Sequence, residues 1–116
     1  MSSDEEPQVV SMDDLEEVEA RPGIYRKVFT RGSLQMIVYR YAPGSIFESH
    51  SHPEEQLTIG TKGYLAFTVG KRRIEFGPGS VAHIPGWIPH GAVNTGSEEA
   101  VTLNIYTPPK EGLADE

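Results

Sequence analysis

The sequence predicts an all-β protein, a sandwich or barrel made of one domain. From Ile24 onward, short segments rich in Val, Ile, Tyr, Phe and Thr alternate with Gly and Pro. Many short strands joined by frequent turns are typical of sandwiches and barrels, and without helices between the strands a parallel βαβ sheet is not expected. The length of 116 residues suits a single domain with one core.

The elements follow from local signals along the chain. One short helix is predicted over residues 11–20, because Ser11 can serve as its N-cap, acidic residues fill its first turn, and Pro22-Gly23 follows it. The predicted strands cover residues 24–30, 34–42, 46–51, 56–60, 63–70, 72–76, 81–84, 90–94 and 99–107. Gly and Pro residues lie at most of the breaks between them.

Charge is distributed unevenly along the chain. The net charge is −7, yet residues 1–20 hold eight acids and no base, and residues 111–116 hold three acids and no base. We therefore divide the chain into an acidic, partly disordered extension (1–22), a barrel domain (23–110) and an acidic tail (111–116). The segment 21–110 contains ten basic and six acidic residues, so the predicted barrel is positively charged.

Composition excludes several classes of protein. There is no cysteine, so neither a disulfide framework nor a cysteine zinc cluster is available. No apolar run approaches the roughly 20 residues of a membrane span, and the N-terminus resembles neither a signal peptide nor a transit peptide. The expectation is a cytoplasmic protein with no membrane partner. No basic stripe carries interleaved aromatic residues, so no nucleic-acid partner is expected.

The histidines indicate a metal site. All four lie between residues 50 and 90, and His50 and His52 share one face if they lie on a strand. A neighbouring strand can bring His90 alongside, and three imidazoles with one oxygen donor suit a first-row divalent metal. For any single histidine, a surface or core role without a ligand is the simpler interpretation, and we keep it for His83.

Two motifs that contain these histidines resemble those of the cupins. The first is Gly44-x5-His50-Ser51-His52-x3-Gln56-x6-Gly63, with Gln in place of the usual Glu, and the second is Gly79-x5-Pro85-x4-His90-x3-Asn94, with Trp87 in place of a usual Gly. The chain is identified by them as a small single-domain cupin of the cupin 2 type. The resemblance implies a jelly-roll β-barrel, a homodimer and one divalent metal (Mn, Fe, Ni, Zn or Co) bound by His50, His52, Gln56 and His90.

The fourth ligand has an alternative, because a β-bulge could exchange the directions of Gln56 and Glu55. If Gln56 is the ligand, all four protein ligands are neutral and the metal keeps its full charge. That charge would attract an anionic substrate.

Three further segments resemble one cupin subgroup. Residues 49–56, 22–28 and 103–111 are similar to those of the pectin-degradation cupins, which convert 4,5-unsaturated uronates into open-chain keto forms. By this resemblance Asn104, Tyr106 and Lys110 line the pocket mouth, where the family has Asp, Phe and Arg. Asn cannot act as a carboxylate base, and Lys lacks the bidentate grip of Arg. The alternative is an ordinary last strand with a Pro-Pro exit.

Three hypotheses of function follow. The first is a metal-dependent enzyme, an isomerase or lyase, that acts on an anionic, sugar-derived small molecule. The second is a small non-haem dioxygenase, because three histidines and one neutral donor leave positions open for oxygen. The third is a cupin that binds a small molecule without catalysis. Trp87 would roof the pocket and stack on a sugar ring, or else plug the barrel end or lie exposed in a loop.

Overall fold

The computed structural model describes residues 6–111 of the chain, and almost all of its regular structure is β-strand. A single turn of 3-10 helix covers Met12–Asp14. The strands are β1 (Val18–Arg21), β2 (Ile24–Arg31), β3 (Leu34–Tyr41), β4 (Ile46–His50), β5 (Glu55–Lys62), β6 (Leu65–Val69), β7 (Arg72–Phe76), β8 (Val81–Ile84), β9 (His90–Val93) and β10 (Ala100–Thr107). The prediction of an all-β fold is confirmed.

The strands form two antiparallel sheets that pack face to face as a jelly-roll barrel. The larger sheet has the order β1-β2-β3-β10-β5-β8, and the smaller has the order β4-β9-β6-β7. The core between them is mainly aromatic and aliphatic, and its buried members include Ile37, Tyr39, Phe47, Phe67 and Phe76. Burial of such side chains supplies the main driving force for closing the barrel.

The helix predicted over residues 11–20 is wrong beyond its first turn. The Ser11 hydroxyl accepts a hydrogen bond from the Asp13 amide as predicted for a cap, but Leu15 already has extended backbone angles. Residues 18–21 instead pair with β2 as an edge strand. An isolated short helix with a narrow apolar stripe is unstable in water, whereas pairing with β2 satisfies the same backbone groups.

This first strand lies within the residues that we assigned to the acidic extension. Residues 6–10 carry no regular structure and are exposed, and the guanidinium of Arg31 donates to the Glu6 carbonyl oxygen at 2.7 Å. Residues 1–5 of the extension that we predicted to be partly disordered lie outside the described residues. The predicted acidic tail also lies outside them from residue 112 onward.

Strand β10 has polar side chains inside the barrel and apolar ones outside. Its buried positions include Thr102 and Asn104, whereas Val101, Leu103 and Ile105 on the opposite face are half-exposed. Strand β5 has the same inverted pattern, with Gln56 and Thr58 buried and Leu57 exposed on the outer face. The two strands lie side by side, so their inward polar groups meet. They therefore form a hydrogen-bonded layer inside the barrel.

Candidate metal site

Three histidines converge at one end of the barrel. His50 ends β4 and lies directly opposite His90, the first residue of β9, while His52 occupies the turn that leads into β5. An irregularity in the β4–β9 pairing between Phe47 and His50 sets this register. The metal-binding nitrogen atoms of the three imidazoles lie within 4.8 Å of one another. The triad can therefore hold a metal ion.

Backbone carbonyl groups fix the tautomer of each imidazole. The Nδ1 atoms of His50, His52 and His90 lie 3.0, 3.1 and 2.9 Å from the carbonyl oxygens of Glu48, Glu54 and Ile88. A carbonyl oxygen only accepts, so each Nδ1 carries the proton and donates it. Each Nε2 is then left with the lone pair that a metal needs.

The imidazoles are held in their neutral form. Burial lowers the pKa of His50 and of His90 to about 4, and the positive charge of Lys110 adds to the effect on both. Burial and Lys110 also lower the pKa of His52, although hydrogen bonds to Gln56 and Glu54 act in the opposite direction. Neutral imidazole is the form that coordinates a metal, so the triad is ready to bind one at neutral pH.

Gln56 faces the triad and Glu55 faces away from it. The Gln56 side chain is buried, and its Oε1 atom lies 3.0 Å from Nε2 of His52. The Glu55 carboxylate is exposed and pairs at 2.6 Å with Nε2 of His83. The bulge that could have exchanged the two directions is absent from the β5 pairing with β10 in this region. Of the two residues, Gln56 is the one whose oxygen can join the triad.

A chain of hydrogen bonds determines which atom Gln56 presents. Asn104 donates from Nδ2 to the Ile37 carbonyl oxygen at 3.2 Å, so its Oδ1 atom must point the other way. That oxygen accepts from the Thr58 hydroxyl at 2.8 Å and from Gln56 Nε2 at 3.2 Å. Because the Gln56 amino group is used in this way, its carbonyl oxygen is turned toward His52. The interior polar layer therefore aims an oxygen donor at the triad.

The donor atoms of the site fit a divalent metal. His52 Nε2 and Gln56 Oε1 both present lone pairs, and two acceptors at 3.0 Å repel each other unless a cation lies near both. Nε2 of His90 is buried and has no hydrogen-bond partner within residues 6–111. These observations favour three nitrogens and one oxygen around a first-row ion.

The three residues predicted for the pocket mouth have different roles near the triad. Asn104 is buried, and its oxygen and both of its amino hydrogens are used by the polar layer. The Tyr106 ring packs edge-on against His52, with ring centres 5.7 Å apart. Nζ of Lys110 lies 4.6 Å from the centre of the Tyr106 ring. Lys110 therefore brings a positive charge to the site, and Asn104 orients its neighbours.

Sequence reasoning missed one residue near the triad, Arg21. Its guanidinium carbon lies 4.4 Å from the centre of the Phe47 ring, and that ring stacks on His50. The predicted division of the chain leaves Arg21 in the extension of residues 1–22, outside the barrel domain. The useful signal was the short spacing between Val18 and the Pro22-Gly23 turn, which is typical of a hairpin strand.

The side chains of His83 and Trp87 are exposed on the surface. His83 is exposed on the outer face of the larger sheet, where it pairs with Glu55. Trp87 is 65% exposed and has a positive φ of 68°. That backbone conformation explains why glycine is usual at this position. Trp87 still fixes the loop, because its amide donates to the His52 carbonyl oxygen at 2.7 Å.

The interior cavity beside the triad is small. The space in it that a water molecule can enter is about 20 Å³, and its lining includes His50, His90, Asn104 and several aromatic rings. This is room for about one or two water molecules, so a sugar-sized molecule has to approach from the barrel mouth. A larger hollow of about 450 Å³ lies over β6 and β7, and its lining includes Tyr64 and Arg73 but no histidine.

The chain is thus a jelly-roll barrel with three histidines at one end that could hold a metal ion. Residues 37–106 match the model of the cupin domain, Cupin_2. The chain therefore belongs to the cupin family, and the family resemblance of the two motifs is confirmed. Residues 6–111 include no helix that is both long and apolar enough to span a membrane.

Known proteins similar to this chain share its fold at low sequence identity. The uncharacterized protein SCO3923 of Streptomyces coelicolor is 25% identical over 100 residues, which is 85% of this chain and 94% of that protein. The structure of KdgF from Halomonas sp. has a TM-score of 0.84 at 18% identity. The match covers 91% of this chain and 97% of the KdgF chain. The structure of the polyketide cyclase RemF from Streptomyces resistomycificus has a TM-score of 0.80 at 17% identity. The match covers 90% of this chain and 81% of the RemF chain.

Proposed function

We propose that this cupin is a metal-dependent isomerase that opens the ring of a 4,5-unsaturated uronate or a similar acidic sugar derivative. The observation that carries the proposal is a donor set without charge, the histidine triad and Gln56, beside the ammonium group of Lys110. A divalent ion held there keeps its full charge, and Lys110 adds another. An anionic substrate is the natural partner of such a site.

The proposed reaction is balanced without a co-reactant. The C1 hydroxyl of the cyclic substrate loses its proton as C1 becomes an aldehyde and the C1–O5 bond breaks. O5 stays on C5 as an enol oxygen, and C4 then gains a proton while C5 becomes a ketone. One proton leaves oxygen and one reaches carbon, so the product is an isomer. The bound metal would supply Lewis acidity that polarises a substrate oxygen.

The side chains of the site divide the remaining work. Lys110 and Tyr106 carry exchangeable protons close to the triad, and we assign the proton transfer between oxygen and carbon to this pair. Asn104 has no proton to exchange at neutral pH, and we assign it the positioning of Gln56. Burial of Tyr106 and Lys110 limits water around them, which strengthens their electrostatic effect.

The test is loss of the conjugated absorbance of unsaturated galacturonate. We expect the metal-loaded protein to remove this absorbance, and we expect His90→Ala to lose at least a hundredfold of the rate. His83→Ala is the matched control, because His83 is exposed on the outer face of the barrel, and it should keep the wild-type rate. No absorbance change with the wild-type protein under full metal loading would refute the proposed reaction.

The same preparation separates the two other hypotheses. Iron in the purified protein together with oxygen uptake on an added alkene or thiol would point to a dioxygenase. Ligand binding that survives the double change His50→Ala and His90→Ala would point to a binding protein without catalysis. The isomerase proposal expects neither result.

A further inference from the structure

Two cations flank the histidine triad in matching arrangements. Nζ of Lys110 lies over the ring of Tyr106, whose edge contacts His52. The guanidinium of Arg21 lies over the ring of Phe47, which stacks on His50 with ring centres 4.9 Å apart. Each cation is thus held on an aromatic ring that touches a triad imidazole. Cation–π contacts of this kind fix a charge in place without neutralising it.

Arg21 has hydrogen-bonding capacity that the protein itself does not use. Its Nε atom is buried and has no acceptor within residues 6–111. The nearest acid in its own strand, Glu19, already accepts a hydrogen bond from the Gly23 amide at 3.1 Å. Buried donors in native proteins nearly always have an acceptor, so a guanidinium in this state indicates a missing anionic or carbonyl partner.

The charge of Arg21 reaches the triad. The guanidinium lies on the Phe47 ring, and that ring stacks on the imidazole of His50. The Glu54 carboxylate lies 3.5 Å from the Nδ1 atom of His52, which is already protonated. On the Phe47 side, the guanidinium is therefore the charge that an incoming ligand meets.

From this arrangement we infer that Arg21 binds the carboxylate group of the substrate at the barrel mouth. The guanidinium can donate two parallel hydrogen bonds to a carboxylate, whereas the ammonium of Lys110 acts as a point charge. The inference rests on the proposed function for the identity of the substrate, but it requires only that the ligand carry a carboxylate. Lys110 then remains for proton transfer.

The assignment also gives β1 a function. The strand is short and lies at the edge of the larger sheet, where it pairs with β2 through an irregular register between Glu19 and Arg21. A bulge of this kind redirects a side chain out of the regular alternation. Here the strand brings the Arg21 side chain to Phe47 on the smaller sheet. A strand from the predicted extension thus becomes part of the site.

The test compares two ligands that differ at one group. Galacturonate carries a carboxylate at C6, where galactose carries a neutral hydroxymethyl group, and calorimetric titration measures the affinity of each for the metal-loaded protein. We expect the wild type to prefer galacturonate, Arg21→Ala to bind galacturonate about ten- to hundredfold more weakly, and Arg21→Lys to fall between them. The affinity for galactose should not change.

A matched control and a folding measurement complete the design. Arg73→Ala removes the same charge from the outer face of β7, away from the triad, and should leave both affinities unchanged. Thermal unfolding shows whether each variant is folded, and Arg21→Lys keeps the test informative if Arg21→Ala is unstable. A wild type with no preference for galacturonate, or Arg21 variants that keep it, would overturn the inference.

The outcome is independent of turnover. If unsaturated galacturonate is converted but the Arg21 variants retain their affinity for galacturonate, the inference fails and the proposed function stands. If no turnover is seen but the preference for galacturonate depends on Arg21, the carboxylate site stands and the reaction is a different one.

Discussion

Gln56 is the residue that, as the proposed fourth ligand, would leave the metal site without a charged ligand. Its oxygen faces His52, and the adjacent Glu55 points to the opposite side of the sheet toward His83. A carboxylate at residue 56 would keep the same shape and add a negative charge within bonding distance of the ion. Metal affinity and Lewis acidity therefore change in opposite directions at this position.

We predict that Gln56→Glu binds divalent metal at least about tenfold more tightly than the wild type, because a charged ligand replaces a neutral one. Competition titration with a chelator measures the change. Glu55→Gln is the matched control and should leave the affinity unaltered, since that side chain lies on the outer face. If the metal affinity of Gln56→Glu does not rise above that of the wild type, Gln56 is not a ligand.

Asn104 illustrates how a buried amide can be needed for its hydrogens. Its amino group donates to the Ile37 carbonyl oxygen, and no ionised carboxylate could do so. We predict that Asn104→Asp loses about 2–3 kcal/mol of stability at pH 7, because a buried charge then faces an acceptor. Urea unfolding of the metal-free protein measures this loss.

The cost of Asn104→Asp should depend on pH. Burial raises the folded-state pKa of a new carboxyl above its unfolded value, so the loss grows as the pH rises from the unfolded toward the folded pKa. Near pH 4, where the carboxyl of the unfolded chain is also largely protonated, a protonated carboxyl can donate to Ile37 in the folded protein, and the variant should approach the wild type. An equal loss at both pH values would contradict this account.

At the scale of elements, the loop between β8 and β9 supports the turn that carries His52. The amide of Trp87 donates to the His52 carbonyl oxygen, and a Cβ atom on Gly86 would collide with the carbonyl oxygen of Pro53. Only glycine allows the two backbones to approach so closely. The loop and the turn therefore hold His52 and His90 in one rigid arrangement.

We predict that Gly86→Ala costs about 1–3 kcal/mol in stability and weakens metal binding, because the His52 turn must move away from the new methyl group. Gly96→Ala is the control, since its Cβ would meet its nearest neighbour, Asn94 Oδ1, at an ordinary 3.5 Å. Urea unfolding and metal titration give the two readouts. Equal behaviour of the two variants would show that the close approach is not needed.

Local patterns predicted most strands and failed at β1. The elements from Ile24 onward agree with the prediction within a few residues, because each strand is bounded by Gly or Pro and its sequence pattern is local. The partner of Val18 is Arg26 on β2, and the ring that holds Arg21 belongs to Phe47. Such contacts depend on tertiary packing, and a window of the sequence does not contain them.

The metal site was predicted to a similar extent. The spacing of the motifs located His50, His52 and His90, although His52 lies in the turn after β4 and not on the strand itself. The choice of Gln56 over Glu55 depends on Asn104 and Ile37 from two other strands. No local pattern records that hydrogen-bond chain.

At the scale of the whole molecule, the neutral triad makes stability depend on pH. The folded-state pKa values of His50 and His90 are about 4, below their ordinary value of 6.5. Between these values the unfolded chain binds protons that the folded chain does not, so acidification favours unfolding. Stability is complete above pH 6.5 and falls as the pH approaches 4.

We predict that the metal-free protein loses on the order of 2–4 kcal/mol between pH 7 and pH 4 from this source, after allowance for solvent near half-exposed His50. His90→Gln should reduce the slope of stability against pH, because it removes one of the shifted groups. His83→Gln should retain the slope. Urea unfolding across the pH range measures both, and a slope that is unchanged in His90→Gln would refute the prediction.

The homodimer expected for the whole molecule needs a surface that a second copy can cover. The outer face of the larger sheet carries an apolar patch, with Leu57 and Val81 exposed and Leu103 and Ile105 half-exposed on neighbouring strands. A six-stranded sheet of this size covers on the order of 600 Å², close to the area per partner in stable complexes. A second copy of this chain is the partner that we expect to cover it.

We predict that the wild-type protein has twice the mass of the chain in solution and that Leu57→Lys with Val81→Lys converts it to a monomer. Charged side chains at the centre of an apolar interface lose hydration without gaining a partner. Tyr64→Lys is the control, because Tyr64 is equally exposed but lies outside the larger sheet. Light scattering measures the masses, and a monomeric wild type at tens of micromolar would contradict the expectation.

The pairing of His50 with His90 determines when the site can form during folding. The two residues lie on strands that are 40 positions apart in the chain, and Gln56 is oriented only after β10 has joined the sheet. Non-local strand pairing of this kind forms slowly. We therefore expect the protein to fold first on its aromatic core and any metal to bind afterwards, unlike small zinc modules in which the ion drives folding.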